Sequence, residues 1–193
     1  MTSSGYATFD ITSVDGLGTI DVLTARNDER LAHTDGPVSV RIHLSLDGST
    51  VVNGQWWADA DHYRAGHRTD PAGSTTVSGT QVAEIAGGSA GEHPGFAVLA
   101  TRHLGGPDDA RLLRDLFCRS GEWKSRMAGF VGATAYLSAD GRTFLNYPRW
   151  VDEAAYRAYM ADPRITEGQE DIAVLETAPP EFVECRILEG GIT

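Results

Sequence analysis

Asn146, Trp150 and Tyr156 stand at spacings of four and six, and each carries a polar group on a flat side chain. Residues four apart on a strand share a face, so Asn146 and Trp150 face together while Tyr156 returns on the next element. An amide, an indole N–H and a phenol converging beside an apolar sheet suit a flat aromatic ligand bearing oxygen substituents. The same residue types also serve as ordinary packing and hairpin-bracing groups. The trio occurs a second time, as Asn53, Trp57 and Tyr63.

That recurrence belongs to a longer repeat. DGSTVVNGQWWADADHYRA begins at Asp47 and DGRTFLNYPRWVDEAAYRA begins at Asp140, an offset of 93 with nine identities. A repeat of this length marks a duplicated structural unit. The offset contracts to about 90 at the first strand, where Tyr6 lies over Phe96. The expected units are residues 1–88 and 89–193, joined by a flexible linker through Gly87, Gly88, Ser89, Ala90 and Gly91.

The second half reads most clearly. Phe96–His103 is a strand, broken by Gly105, Gly106 and Pro107. A helix follows from Asp108 or Asp109 to about Arg126, with Leu112, Leu113, Leu116, Phe117 and Trp123 at helical spacing on one face. Phe130–Ser138 and Thr143–Trp150 form a hairpin around Asp140-Gly141. Asp152 caps a short helix that Pro163 stops, an acidic loop carries Glu167, Glu170 and Asp171, and Glu181–Leu188 is a last strand. The order β-α-β-β-α-β is the ferredoxin-like plan. In the first half, Tyr6–Ser13, Val38–Leu46, Thr50–Trp57 and Gln81–Ile85 read as strands, with helices over Thr19–Leu31 and after Asp59. The fold class is α+β, with two tandem ferredoxin-like units pairing as a pseudo-dimer.

The net charge of −11 and pI near 4.8 argue against a nucleic-acid partner or an anionic membrane surface. No apolar run approaches the roughly 18–20 residues of a membrane span, and Met1–Gly5 lacks the features of a signal peptide. A cytoplasmic protein is the expectation. Cys118 and Cys185 lack metal-type spacing and read as packing residues. His33, His43, His62, His67, His93 and His103 form no ligand grouping, so no metal is expected, although His43 or His103 has a titration range suited to a general base.

Each half resembles the antibiotic biosynthesis monooxygenase family, most strongly over DGRTFLNYPRWVDEAAYRAYM, where a hairpin DG, a strand Asn, a Trp and a helical Tyr follow the family layout. The resemblance covers nearly the whole chain as two copies. It implies that the two units pair in the dimeric α+β-barrel form. It also implies a monooxygenase that oxidises an aromatic polyketide, anthrone or phenol to quinone, with O2 and no metal or bound cofactor. It places Asn146, Trp150 and Tyr156 as catalytic residues, and Asn53, Trp57 and Tyr63 as substrate-binding counterparts. Arg102 and His103, standing over Thr12 and Ser13, and Tyr136, standing over His43, join the substrate-binding set. Two alternatives remain open: a reduced-flavin-dependent oxygenase of the same fold, and a non-catalytic polyketide-binding or cyclase-like protein. The working form is a monomeric pseudo-dimer or a homodimer. Because the two copies differ around the trio, the second unit is expected to hold the main site.

Overall fold

The computed structural model describes residues 5–14, 18–33, 35–66 and 73–188. The elements, in chain order, are β1 (Tyr6–Ser13), α1 (Gly18–Leu31), β2 (Ser39–Ser45), β3 (Thr50–Trp57), α2 (Ala60–Gly66), β4 (Ser74–Ala86), β5 (Phe96–Leu104), α3 (Pro107–Lys124), β6 (Phe130–Leu137), β7 (Thr143–Trp150), α4 (Glu153–Met160), α5 (Pro163–Ala173) and β8 (Glu176–Ile187). The fold is α+β, built on the ferredoxin-like β-α-β-β-α-β order run twice.

Among the described residues, unit 1 comprises 5–81 and 185–188, and unit 2 comprises 82–184. Both boundaries fall inside strands, within β4 and within β8. Unit 1 has the strand order β4-β1-β3-β2-β8, and unit 2 the order β8-β5-β7-β6-β4.

The registers explain the two offsets of the repeat. In unit 1, Tyr6 pairs with Trp57 and Asp10 with Asn53. In unit 2, Phe96 pairs with Trp150 and Ala100 with Asn146. The copies therefore superpose strand on strand, with the difference of three residues taken up in the helical connection.

Local chemistry repeats with the register. Gly48 and Gly141 adopt φ of 73° and 70°, the left-handed conformation that the turn needs and that a side chain would strain. Asp47 Oδ1 accepts from the Ser49 amide and Asp140 Oδ1 from the Arg142 amide, each at 3.0 Å. Ser45 Oγ and Ser138 Oγ accept from the amides of Thr50 and Thr143, each at 2.9 Å. Asp59 and Asp152 cap the following helices through backbone amides.

Several boundaries depart from the sequence reading. Pro163 does not end the helical region. It opens α5 at its first position, with Asp162 accepting from the Arg164 amide at 3.0 Å. The expected acidic loop is therefore a helix, with Glu167, Glu170 and Asp171 on it and Ile165 buried. β4 and β8 are longer than expected because their outer portions are only half-buried and lack a strong apolar alternation. Gly87 to Ser89 is no free linker: their amides donate to Val131, Ser125 and Phe130 carbonyls. Leu112 is exposed rather than packed with the apolar face of α3, Cys118 is exposed rather than packed, and Val38 is exposed and precedes β2, which starts at Ser39.

The core of unit 2 is rich in aromatic side chains, with Phe96, Phe130, Phe144, Tyr147 and Trp150 almost wholly buried. Unit 1 has an aliphatic cluster of Leu23, Ile42 and Val51 under α1.

Candidate functional site

On β7, alternate side chains Phe144, Asn146, Pro148 and Trp150 share the sheet face turned to the helices. On β5 the residues of the same face are Val98, Ala100 and Arg102, because Arg102 pairs with Phe144 and Ala100 with Asn146. Between this face and α3, α4 and α5 lie two adjoining cavities of about 270 and 410 Å3. They share Arg102, Lys124, Asn146, Tyr159 and Gln169. The larger one is also lined by Tyr156, Pro148, Phe182 and Glu184, and its volume is in the range that takes a small polycyclic ligand.

The walls are fixed by aromatic packing. Trp150 is fully buried behind the cavity, 4.8 Å from Phe130 and 4.9 Å from Tyr159 between ring centroids. Tyr156 stacks on Phe96 at 5.2 Å, and its phenol donates to Glu184. Burial, with the Glu184 carboxylate next, pushes the Tyr156 hydroxyl well above the ordinary phenol range. Burial pushes Tyr159 up to about 12, so both phenols stay protonated near neutrality. Tyr159 stacks on Trp123, over which Arg164 lies at 4.2 Å.

Two polar atoms here are buried and lack partners: Asn146 Oδ1 and Trp150 Nε1. A buried polar group left unpaired costs about 1–3 kcal/mol, so Asn146 Oδ1, in the cavity wall, stands ready for a ligand, while the Trp150 indole behind the wall bears that cost. The register gives the reason for the indole. In unit 1, Trp57 Nε1 donates to Thr8 Oγ1 at 3.4 Å. The unit 2 counterpart of Thr8 is Val98, which offers no acceptor.

Arg102 reaches the site as a tethered cation. It pairs with Glu176 at 2.5 Å, donates to Gln169 at 2.8 Å, and its guanidinium lies 5.6 Å from the Phe182 ring centroid. His103, next along β5, pairs with Thr143 and so lies on the opposite sheet face, 3.3 Å from Glu181. Tyr136 pairs with Leu145, which puts it too on the face away from Asn146. The structure thus brings Asn146, Tyr156 and Arg102 to one cavity, sets Trp150 behind it, and does not bring His103 or Tyr136 there.

The unit 1 trio is arranged differently. Asn53 and Asn27 of α1 exchange two hydrogen bonds, at 2.8 and 3.2 Å. Gln55 accepts from Arg30 and donates to Asp10, both at 2.8 Å. Asp10 also accepts from Thr76 at 2.8 Å. Tyr63 stacks on Tyr6 at 5.0 Å and meets Trp57 edge-on at 5.4 Å. The face that lines a cavity in unit 2 is occupied here by a polar network.

Of the histidines, His43 is fully buried, and burial lowers it to about 4. His62 is exposed beside Asp59, and His33 and His93 are exposed. His67 lies outside the described residues. Among the described residues, no group of three His, Cys, Asp or Glu side chains could hold a metal, and no helix is long and apolar enough to cross a membrane.

Sequence patterning did not single out Lys124, Tyr159 or Gln169. Gln169 sits on the helix read as a loop. Lys124 reads as a surface cation at a helix C-terminus. One signal was available: among 16 basic residues it is the chain's sole lysine.

A tandem ferredoxin-like α+β chain with an aromatic-walled cavity under one sheet has the architecture of a small-molecule-binding protein. No family model matches the chain. The chain is 47% identical over 79 residues to the tetracenomycin-F1 monooxygenase of Streptomyces glaucescens, spanning 40% of this chain and 70% of that protein. Its fold is shared with an anthrone oxidase-like protein at a TM-score of 0.76, with 12% identity over 98% of this chain and 93% of the other. It is also shared with a ferredoxin-fold protein of Listeria monocytogenes related to antibiotic biosynthesis monooxygenases, at a TM-score of 0.64 and 13% identity over 97% of each chain. The chain belongs to the antibiotic biosynthesis monooxygenases and is an oxidoreductase of monooxygenase type.

Proposed function

We propose that the unit 2 cavity oxidises an aromatic polyketide, an anthrone or phenol to the quinone, with O2 and without metal or bound cofactor. The observation that carries this reading is the unpartnered Asn146 Oδ1 in the wall of a 410 Å3 aromatic cavity. The named activity of the 47%-identical relative supports the substrate class.

The chemistry suits such a site. An anthrone has an acidic, doubly benzylic CH2 across the central ring from its ketone and conjugated to it through the arene rings. Loss of that proton leaves a dienolate, which passes one electron to O2. Superoxide and the organic radical join as a peroxide, and loss of water leaves the new carbonyl. Asn146 Oδ1 accepts a substrate hydroxyl, and its Nδ2 donates to the developing oxyanion, a contribution of about 3 kcal/mol by comparison with oxyanion-hole donors. Tyr156 and Tyr159 present neutral hydroxyls and ring faces to the substrate. Trp150 holds those rings in place from behind.

An oxygen electrode tests the proposal. Protein freed of metal and flavin is given a panel of hydroxyanthrones. Uptake of one O2 per quinone formed supports it. A strict need for added reduced flavin would assign the cavity to a flavin-dependent oxygenase, and binding without O2 uptake to a carrier or cyclase-like role.

A further inference from the structure

Resting on that reading, we infer that Lys124 is the base that removes the substrate's acidic C–H proton. Lys124 closes α3 and lines both cavities beside Asn146. It is 3% exposed, and among the described residues no carboxylate pairs with it. Instead its Nζ lies 4.8 Å from the Tyr159 ring centroid and 5.3 Å from that of Phe130. A surface cation would not be kept in such a place. The chain meets its remaining need for positive charge with arginine, which cannot shed a proton near neutrality.

The other charged groups around the cavity are already engaged or remote from this task. From β5, Arg102 is held by Glu176 and Gln169. From β8, Glu184 binds Arg157 and the Tyr156 phenol. From α4, Tyr156 and Tyr159 are too weakly acidic to act as bases without first losing their own protons. From α5, Arg164 is paired with Asp162, and Asp171 is an exposed residue at the rim of the smaller cavity. On α3 itself, Arg119 lies five residues back and is exposed. Desolvation brings the Lys124 ammonium down to about 8, so a useful fraction of neutral amine is present at physiological pH.

The balance is simple. The Nζ lone pair takes the proton, and the C–H electron pair enters the ring system as the dienolate. The resulting ammonium sits between aromatic faces next to the anion it has created. After one-electron transfer to O2 and recombination, the ammonium returns its proton to the peroxy anion. The hydroperoxide then eliminates water across the remaining C–H to give the carbonyl.

The sole lysine makes a direct test possible. Protein grown with 13C-lysine gives one side-chain signal, expected to titrate near 8 and to shift when an anthrone binds; titration at 10 or above overturns the inference whatever the substrate. Lys124→Met should lower kcat by roughly 10²–10⁴-fold and lose the rise of rate with pH through about 8. Lys124→Arg should be as slow, since it keeps charge but supplies no base, and added ethylamine should restore part of the rate to Lys124→Ala. Near-wild-type turnover by Lys124→Met, or by Lys124→Arg, would overturn the assignment. A lysine that titrates near 8 and shifts on binding, in a protein that takes up no O2 with any anthrone, leaves the basic site standing and removes the oxidation reading instead.

Discussion

In unit 1 the Asn53 amide closes on Asn27 of α1, whereas in unit 2 Asn146 Oδ1 meets no donor. The surrounding register accounts for the contrast position by position. Thr8, Asp10 and Gln55 in unit 1 become Val98, Ala100 and Pro148 in unit 2. The first set can hydrogen-bond inward and does so: Gln55 accepts from Arg30 and donates to Asp10, Asp10 also accepts from Thr76, and Thr8 accepts from Trp57. The second set is smaller or apolar and leaves space, into which α3 supplies Lys124 and α5 supplies Gln169. A repeated Asn, Trp and Tyr is thus compatible with two physical states, one satisfied internally and one awaiting a partner. What distinguishes them is the residues between the repeated ones.

Grafting the unit 1 filling onto unit 2 should have the largest effect. Ala100→Asp with Pro148→Gln would put a carboxylate and an amide into the cavity and should abolish O2 uptake with an anthrone, while circular dichroism reports a folded protein. Retained turnover would break the link between open space and activity.

Acid sensitivity should also divide between the units. His43 falls to about 4 in the folded state, whereas its counterpart in unit 2 is a tyrosine, Tyr136. Above the unfolded value of 6.5 the buried neutral ring costs nothing. As pH drops from 6.5 to about 4, the unfolded chain takes up the proton and the folded one does not, removing up to about 3 kcal/mol of stability. His43→Gln should flatten the fall of Tm with acid over that window, and an unchanged slope would contradict the assignment.

The smallest expected difference concerns the two indoles. Trp57→Phe gives up a hydrogen bond to Thr8, while Trp150→Phe removes an N–H that has no acceptor. In urea titrations of ligand-free protein, Trp57→Phe should cost about 0.5–1.5 kcal/mol more than Trp150→Phe. The reverse order would mean that Trp150 finds a partner in solution.

Much of the fold was legible because duplication writes register twice. The offsets of 93 and 90 correspond to the pairs Asp10–Asn53 and Ala100–Asn146. Turn and cap residues at Asp47, Asp140, Asp59 and Asp152 carry local signals that tertiary contacts reinforce. The site was legible only in part. Asn146 and Tyr156 stood out as repeated residues and Arg102 as a departure between copies, but strand alternation sends His103 and Tyr136 to the other face. α5 was hidden because Pro163 reads equally as a stop or as a first helical residue, and its acidic run masked the inward Ile165. Lys124 was hidden because helix-end cations are common; its solitude among arginines was the only clue.

The most direct test compares one substitution in each unit. Asn146→Ala and Asn53→Ala are measured side by side for O2 uptake with an anthrone and for stability in urea. Asn146→Ala should lose roughly 10²–10³-fold in kcat with little change in stability. Asn53→Ala should keep turnover and lose about 1–3 kcal/mol of stability, because Asn27 is left buried and unpaired. Equal loss of turnover in both variants, or loss in Asn53→Ala alone, would contradict the account.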